Sequence, residues 1–590
     1  MRHPIVTIAA LSLSAVFVSC ASSSSSQPRS DTGGKVGTGG RATTGGAGGD
    51  VGAGGRSSAG GAGGSGSGGA NLGSGGAPAG TGGRTETTTP GGAGGAGNGA
   101  GGSRADAASP PDVPSAGGVG GTAGPDAAAE GASAGGAGGT QTTGTKPSAR
   151  LKPRVVALTD IGPDSVEPDD SESLIRFFVH ADLLEIEAVI AGSGYNSGDY
   201  PPAWADRIGT TIDAYEKDAP NLMKRSNQSG FVADENKQPI GYWPSATYLR
   251  SRKALGSPKW GTSVLGASND TDGSKLLIKL GDEDDDRPIW ITVWGGANTF
   301  AQALWRVKND RTAAEFKAFV RKFRIYTITD QDKGYGSTDY AGSSHQWMRK
   351  QAGTDLLFLW DECAWLDHNS WGVSHWTDLY APNIQGHGNL GAIYSKYRWG
   401  VEGDTPSFLH VVPNGLSDPD SPGQGGWGGF FAYGPTVDGQ TSAWVNQEGS
   451  ANTTCHKYTS NFFPIAFNDF AARMDWAKDG TGNRNPIVVI NDDASLDAIT
   501  MQPAAGSSVT LDASKTSDPD GDKLTFKWWG LPEAGSYAPT ITLANSSSSK
   551  LTLTVPADSA GKTFHIICEV TDNGTPNLTS YRRIIFAPPG

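Results

Sequence analysis

A buried strand that runs directly into a group of carboxylates is the feature that most constrains the fold of this chain. The apolar run Arg154–Thr159 is typical of a buried strand, and apolar residues from Leu174 onward recur at helical spacing. Between them lie Asp160, Asp169 and Asp170. The carboxylates therefore lie where a strand ends and a helix begins, which is where open α/β sheets bind their ligands.

The local pattern leaves two interpretations of these carboxylates open. Carboxylates that lie close together repel one another unless protons or a cation neutralise them. Calcium and magnesium prefer hard oxygen ligands of this kind. Alternatively, the segment is a solvated acidic turn whose aspartates cap the helix. The first interpretation predicts a cation site, and the second predicts only the start of a helix.

Residues 1–20 have the pattern of an export signal. Arg2 and His3 precede the apolar stretch Ile5–Val18, which is short for a membrane span. The stretch resembles a bacterial lipoprotein signal in which Cys20 is lipidated after cleavage, and an ordinary secretory signal with an incidental cysteine is the alternative. Both predict an exported protein. The first adds a lipid anchor in the cell envelope, at the outer membrane or cell surface, as the only contact with a membrane.

Residues 21–149 consist mainly of Gly, Ala, Ser and Thr and contain no aromatic residue. Such a segment cannot bury enough apolar surface to offset the entropy of the chain. We therefore predict a disordered tether, which holds much of the glycine count of 86. The rest of the chain is long enough for one large and one small domain, predicted at residues 150–484 and 485–590.

The charge and the cysteine content limit the possible partners and sites. The net charge is −13, and no basic stripe with interleaved aromatic residues is present, which argues against a nucleic-acid partner. The acidic run Asp282–Asp286 is predicted to be a solvated loop. Cys363 and Cys455 lie in the same predicted domain, where a disulfide and two separate buried thiols are both compatible with the sequence. No cysteine or histidine spacing suits zinc.

Between Pro153 and about Gly482, apolar strand runs alternate with helical stretches, which predicts a mostly parallel sheet. The strand candidates after the first are Glu185–Ala191, Pro288–Trp294, Phe323–Thr329, Leu356–Trp360 and Phe408–Val412. The polar residues that follow strands are Gly295 to Asn298, Asp330, Asp332, Asp361, Glu362 and Asn414. Because a parallel sheet brings these strand ends to one edge, the sequence predicts a single crevice lined with oxygen ligands.

After Asn485 the pattern changes to short alternating runs separated by turn residues, which is typical of a β-sandwich. The segment Asp512–Trp528 resembles immunoglobulin-like repeats of bacterial surface proteins. The aspartates of Ser517–Asp522 either hold calcium or form a plain turn. Cys568 is predicted to be a small core residue. The runs are Ser508–Leu511, Leu524–Trp529, Lys550–Val555 and Thr563–Val570.

Several segments together resemble the nucleoside hydrolases, and more closely a nucleoside-hydrolase-like family described as cellulose-binding. Val155–Leu174 is similar to the hydrolase opening, a strand, an Asp-x-Asp-x-x-x-Asp-Asp motif and a helix, and Trp294–Leu304 is similar to the hydrolase segment Gly-Pro-Leu-Thr-Asn-Leu-Ala. The segments similar to the cellulose-binding subgroup are Thr329–Asp332, Gln385–Gly388, Glu402–Leu409 and Gly425–Gly429. The resemblance covers roughly residues 153–590. It implies an α/β fold, a mostly parallel sheet of nucleoside-hydrolase type, followed by a small all-β immunoglobulin-like sandwich.

The resemblance also implies a calcium site and a hydrolytic chemistry. In such hydrolases a calcium ion binds the sugar diol and lowers the pKa of a bound water, and an aspartate accepts the water proton. The N-glycosidic bond then breaks through an oxocarbenium-like transition state. Carried over to this chain, the calcium ligands are Asp160, Asp170, Asp404 and the backbone oxygen of Asn298. Asp169 is the contact to a sugar hydroxyl.

The chain departs from the hydrolase pattern at the catalytic base. The loop between Asp160 and Asp170 is longer than the hydrolase motif, and the middle aspartate has no clean counterpart. The candidates for the base are Asp164 and Glu167. Gly403 stands where the hydrolases often have a histidine, so the general acid must come from elsewhere. The candidates are His345, His375 and His387, each with a structural role as the alternative.

Strand ends, motif segments and aromatic residues indicate the substrate contacts. Exposed indoles pack against sugar rings, whereas buried ones fill cores. Of the tryptophans between residues 360 and 376 we expect most to lie in the core and one or two at the crevice mouth. The predicted substrate-binding residues are Asp330, Asp332, His387 and Trp365.

Three functions fit this sequence. The first is an exported calcium-dependent hydrolase that acts on N-glycosidic or other sugar-containing substrates, with a carbohydrate or a nucleoside-like small molecule as its partner. The second is a non-catalytic surface lipoprotein that binds cellulose or another plant-wall polysaccharide and keeps the metal site for sugar hydroxyls. The third, a purely structural surface protein, does not explain the acidic crevice. A base beside the metal site separates the first two.

Overall fold

The computed structural model describes residues 150–166, 168–195, 198–333 and 337–590. The predicted signal with Cys20, the predicted tether and Glu167 lie outside these residues. The described residues all belong to one compact unit. None of their helices combines the length and the apolar content that a membrane crossing requires.

An eight-stranded sheet forms the centre of the large α/β part. Its strands are β1 (Arg154–Thr159), β2 (Glu185–Ala191), β3 (Lys253–Leu255), β4 (Ile289–Val293), β5 (Phe323–Ile328), β6 (Leu357–Asp361), β7 (Ala432–Pro435) and β8 (Ser442–Val445). Their order is β3-β2-β1-β4-β5-β6-β8-β7, and all pairs are parallel except β7 with β8. The chain order reverses at β1, which pairs with both β2 and β4. This reversal is the point at which ligands bind in open α/β sheets.

Helices cover both faces of the sheet. They are α1 (Asp169–Phe178), α2 (Asp206–Arg225), α3 (Ala246–Ser251), α4 (Asp272–Asp282), α5 (Asn298–Asp310), α6 (Ala313–Val320), α7 (Ser344–Ala352), α8 (Ala364–Ser374), α9 (Ala381–Asn383), α10 (Gly388–Ala392), α11 (Thr405–Leu409) and α12 (Gly449–Asp479). One core packs α1, α2 and α12 against the sheet through residues such as Phe177 and Phe467. A second core, with Phe300 and Met348, lies under α4 to α7. Burial on both faces explains the nearly continuous apolar strand runs.

The C-terminal part is β-rich. Its strands are β9 (Ile499–Met501), β10 (Ser508–Asp512), β11 (Thr525–Gly530), β12 (Lys550–Thr554), β13 (Phe564–Thr571) and β14 (Thr579–Phe586). They form a two-stranded sheet, β10-β12, and a four-stranded sheet, β11-β13-β14-β9. A separate core that includes Leu511, Trp528 and Leu551 unites them. Cys568 is a buried free thiol within this core, as predicted.

The prediction of a strand over Phe408–Val412 is wrong, because Phe408 and Leu409 end helix α11. Pro406 lies in the first turn of that helix, where its missing N–H is tolerated. Phe408 packs against Phe177 of α1, with ring centroids 5.1 Å apart. A short apolar run of this kind satisfies a buried helical turn as well as a strand.

A disulfide joins Cys363 and Cys455 and decides between the two possibilities that the sequence left open. Cys363 directly precedes α8, and Cys455 lies in α12. The bond therefore ties the helix that follows β6 to the longest helix of the described chain.

Candidate metal site at the carboxyl edge of the sheet

Asp160 lies directly after β1, at the point where the strand order reverses. Its side chain is buried. A Cβ atom added to Gly295, after β4, or to Gly194, after β2, would collide with the Asp160 carboxylate. Glycine at both positions therefore makes room for this carboxylate between the ends of three adjacent strands.

Three further carboxylates converge next to it. Asp169 and Asp170 begin α1, and Asp404 directly precedes α11. One oxygen from each of the three lies within 4.8 Å of the other two. Asp170 and Asp404 are buried, and Asp169 is half-buried. We call these three residues the aspartate trio.

Burial and mutual repulsion act together at the trio. Burial raises the pKa of Asp170 well above its usual value, and the charges of Asp160 and Asp169 raise it further. A hydrogen bond from the Thr159 hydroxyl opposes this shift only in part. A cation among these oxygens would remove the repulsion. A donor set made only of carboxylates fits calcium or magnesium and does not favour softer metals.

A buried network fixes Asp404 against α1. Glu402 has a left-handed backbone conformation, with φ of 50°. Its N–H donates to Glu172 Oε2 at 3.0 Å, and its carboxylate accepts from Arg176 Nη1 at 2.7 Å and from the Tyr394 hydroxyl at 2.8 Å. Glu172 and Arg176 lie on the helix whose first turn carries the other two members of the trio, so one helix positions all three carboxylates.

This network was not predicted from the sequence, although a signal was present. Glu172 and Arg176 follow Asp169 at helical spacing and therefore share its side of the helix. Gly403 also has a role. A Cβ atom there would come within 2.9 Å of an Asp169 oxygen and of Asn369 Oδ1. The glycine therefore lets the loop before Asp404 approach the trio closely.

Of the two residues predicted as the base, only Asp164 lies within the described part of the chain. Asp164 lies near the surface, where it forms an ion pair with Arg207 and accepts a hydrogen bond of 2.6 Å from the Ser395 hydroxyl. Its described contacts are therefore with Arg207 and Ser395, and it is not a member of the trio. Glu167 lies outside the described residues. Asp160, by contrast, lies close enough to the trio for its charge to raise the pKa of Asp170.

Asp330 and Asp332, the two aspartates predicted to bind substrate, form hydrogen bonds with the loop before α7. The Asp330 carboxylate accepts from the Ser343 hydroxyl at 2.6 Å, and the Asp332 carboxylate accepts from the Ser344 N–H at 2.9 Å. The residue between them, Gln331, is the one that reaches the site. Its side-chain oxygen and an Asp160 oxygen would both collide with a Cβ atom on Gly194.

The other predicted site residues have contacts elsewhere in the fold. His387 Nδ1 lies 2.9 Å from an Asp475 oxygen on α12, and Trp365 is half-buried against the core. The Asn298 side chain donates to the Gly261 carbonyl at 2.6 Å, at the start of α5. The role of its backbone oxygen as a ligand stays a prediction. His345 is buried 3.8 Å from Asp330, and His375 lies 3.1 Å from Asp378.

A second group of possible ligands lies around the disulfide. Cys363, Asp367 and His456 place their ligand atoms within 4.8 Å of one another. Cys363 is bonded to Cys455, so it offers no thiolate. His456 Nδ1 lies 2.7 Å from Asp367 Oδ2, which is a hydrogen-bonded pair. The trio is therefore the better cation site of the two.

Comparison with known proteins agrees with this architecture. Residues 154–431 match the family model described as cellulose-binding Sde182, nucleoside hydrolase-like domain, and residues 508–588 match cellulose-binding protein Sde0182, C-terminal domain. A solved structure from Saccharophagus degradans, described as a nucleoside hydrolase-related hypothetical protein associated with carbohydrate metabolism, is 34% identical. The alignment covers 74% of this chain and 100% of that one, with a TM-score of 0.63. This chain therefore belongs to the nucleoside-hydrolase-like family described as cellulose-binding.

Family membership confirms the resemblance drawn from the motifs and the fold class. The fold is a mostly parallel α/β sheet of nucleoside-hydrolase type followed by a β-rich region. A PKD domain from KIAA 1837 protein also matches, with 22% identity over 19% of this chain and 93% of that domain, but its TM-score of 0.14 supports no argument. No curated protein matches the chain.

Proposed function

We propose that this protein binds a calcium ion through Asp169, Asp170 and Asp404 and holds the hydroxyl groups of a carbohydrate at that ion. The observation that carries the proposal is the convergence of three carboxylates within 4.8 Å at the strand-order reversal. Buried like charges are unfavourable without a counter-ion. When bound, calcium would coordinate sugar hydroxyls and lower the pKa of a bound water.

Two observations support a carbohydrate as the ligand. The matching family models are described as cellulose-binding, and the solved relative is described as associated with carbohydrate metabolism. The net charge of −13 opposes binding to nucleic acid. The proposal therefore names a neutral sugar chain as the ligand class, with N-glycosidic compounds as the related alternative.

We further propose that the site hydrolyses a glycosidic bond, with Asp160 as the proton acceptor. Asp160 adjoins the trio and is held by the strand ends, whereas Asp164 is paired with Arg207. In hydrolysis the bond between the anomeric carbon and the leaving group breaks, and the leaving group keeps the electron pair and takes a proton from solvent. The attacking water gives a proton to Asp160, and its oxygen forms the new bond to the anomeric carbon. This proposal gives Asp160, which the resemblance implies as a calcium ligand, the role for which Asp164 and Glu167 were the candidates.

A binding protein without turnover is the second candidate. Gly403 provides no side chain that would act as an acid next to Asp169. Asp164 is occupied by Arg207 and Ser395. Both observations favour a site that holds sugar without cleaving it.

The two candidates separate in one experiment on wild-type protein and Asp160→Asn. We expect wild-type protein to bind cellohexaose only with calcium present, and to release sugar or base from a panel of cello-oligosaccharides and nucleosides. Asp160→Asn should retain calcium binding and lose turnover by about two to four orders of magnitude. Binding without any turnover by wild-type protein would establish the second candidate. Binding that does not depend on calcium would contradict both.

We also propose that the protein acts outside the cytoplasm, anchored by lipid at Cys20. The pattern of residues 1–20 supports export. The disulfide between Cys363 and Cys455 fits an oxidising compartment.

A further inference from the structure

Trp399 is exposed and at the same time held in place. Its side chain is 70% exposed, and no large apolar side chain in the described part of the chain is more exposed. The indole Nε1 donates to the Val166 carbonyl at 3.2 Å, and the Arg398 guanidinium carbon lies 4.9 Å from the ring centre. An indole carries a large apolar surface that proteins normally bury. A fixed, exposed indole is therefore a surface on which a flat ligand can stack.

The position of Trp399 connects it to the aspartate trio. Val166 lies three residues before Asp169, and Trp399 lies five residues before Asp404. The same two loops are joined a second time where the Ser395 hydroxyl donates to Asp164. Each loop thus ends at a member of the trio, and Trp399 lies on one of them and is hydrogen-bonded to the other.

A cavity of about 580 Å³ adjoins these loops. This volume is in the range of small-molecule sites. Its lining includes Asp164, Arg207, Thr210, Gln385 and Ser395. Such side chains donate and accept hydrogen bonds in the way that sugar hydroxyls require.

One atom in the cavity wall lacks a partner. Ser171 lines the cavity and directly follows Asp170. It is 6% exposed, and among the described residues its hydroxyl has no hydrogen-bond partner. Buried hydroxyls normally find a partner, so this one indicates a ligand or water in the cavity.

We propose that Trp399 and this cavity form a binding site for a chain of sugar rings that extends away from the aspartate trio. This inference rests on the proposed function and adds where the chain runs. The apolar face of a pyranose ring stacks on the indole, while its hydroxyls bind the polar lining of the cavity. The lining holds two acidic residues, Asp164 and Asp206, and two basic residues, Arg207 and Lys396. These charges balance, which suits a neutral polyhydroxyl ligand more than an anion.

The test measures binding to the full-length protein by calorimetry at saturating calcium, with cellohexaose and adenosine as the probes. The variants are Trp399→Ala, Trp399→Phe and the control Tyr433→Ala. Tyr433 is also a well-exposed aromatic residue, at 55%, but it lies on β7 at the far edge of the sheet. We expect Trp399→Ala to weaken cellohexaose binding about tenfold or more, as for a central aromatic contact. Trp399→Phe should keep part of the affinity, and Tyr433→Ala should change it less than about twofold.

The possible outcomes separate this inference from the proposed function. If wild-type protein binds calcium but no saccharide, the proposed function fails, and this site fails with it. If saccharide binds equally to wild-type protein and Trp399→Ala, the inference alone is overturned. If adenosine binds and Trp399→Ala abolishes that binding, the indole stacks on a base, which also overturns it. Calcium affinity measured without saccharide should be the same in every variant, because none removes a carboxylate.

Discussion

Replacing Asp404 with asparagine should separate two effects that the aspartate trio has on stability. Without calcium, the variant carries one fewer buried charge beside Asp169 and Asp170, so it should be at least as stable as the wild-type protein. With calcium, it lacks the charge of one ligand, so most of the stabilisation by calcium should disappear. A carboxylate with a purely structural role would produce neither effect.

The size of the shift follows from mass action and from the length of the folded chain. Calcium at one hundred times its Kd adds about 2.7 kcal/mol to the free energy of unfolding. The entropy of unfolding is about 2.1 cal/mol/K per residue, or about 0.9 kcal/mol/K for the roughly 440 residues from 150 to 590. The thermal midpoint of the wild-type protein should therefore rise by about 3 °C. If the substitution weakens Kd about a hundredfold, the same calcium concentration should give a shift of about 0.5 °C.

Calorimetric scans with a chelator and with calcium provide the assay. Asp367→Asn is the matched control, because Asp367 belongs to the second group of possible ligands, with Cys363 and His456. That control should keep the full calcium shift. A full shift in Asp404→Asn would refute the assignment of the ligands. The absence of a shift in the wild-type protein would refute the calcium site itself.

Three other predictions concern the disulfide, a buried lysine and the anchor. Replacing Cys363 and Cys455 with serine removes a bond between residues 92 positions apart and should lower the free energy of unfolding by about 4.6 kcal/mol. Urea denaturation measures this difference, and an unchanged value would show that the bond adds nothing. Burial lowers the pKa of Lys152 to about 7, so between pH 7 and its usual value of 10.5 the unfolded chain binds more protons than the folded protein. Stability relative to Lys152→Met should therefore rise with pH across this window, and a constant difference would contradict the burial argument. Cys20→Ser should move the protein out of the membrane fraction without a change in its thermal midpoint, and retention there would exclude the lipid anchor.

The sheet could be predicted because buried parallel strands are continuous apolar runs. The predicted strand Glu185–Ala191 has the same bounds as β2. Phe408–Val412 failed because apolar content alone does not distinguish a strand from one helical turn. The sequence did not show that the strand order reverses at β1, because pairing between distant strands leaves no local pattern in the sequence.

Strand ends were a good guide to the site but an incomplete one. Asp160 and Asp330 both follow strands. Asp160 points into a space that two glycines keep open, whereas Asp330 binds the loop before α7. The direction of a side chain after a strand depends on the loops that pack on it, and those loops come from distant parts of the chain. Trp365 and Trp399 show the same limit, because the sequence does not tell which indole the fold leaves exposed.

The backbone of Glu402 explains how the cation site and the surface around Trp399 are joined. A left-handed conformation costs a non-glycine residue about 1 kcal/mol or more. The conformation is retained because Arg176 and Tyr394 bind the Glu402 carboxylate while Glu172 accepts from its backbone N–H. The turn that results directs Asp404 towards α1 and carries the preceding segment, with Trp399, back over the loop that ends at Asp169.

One loop therefore holds a ligand of the proposed calcium ion at one end and the proposed sugar-stacking indole at the other. A cation bound to Asp404 restricts the motion of this loop. A saccharide that stacks on Trp399 also requires the loop to be ordered. Because ligands that order the same segment favour each other, calcium should tighten saccharide binding. By reciprocity, saccharide should tighten calcium binding by the same factor. The coupling should persist in Asp160→Asn, because the base belongs to neither end of the loop.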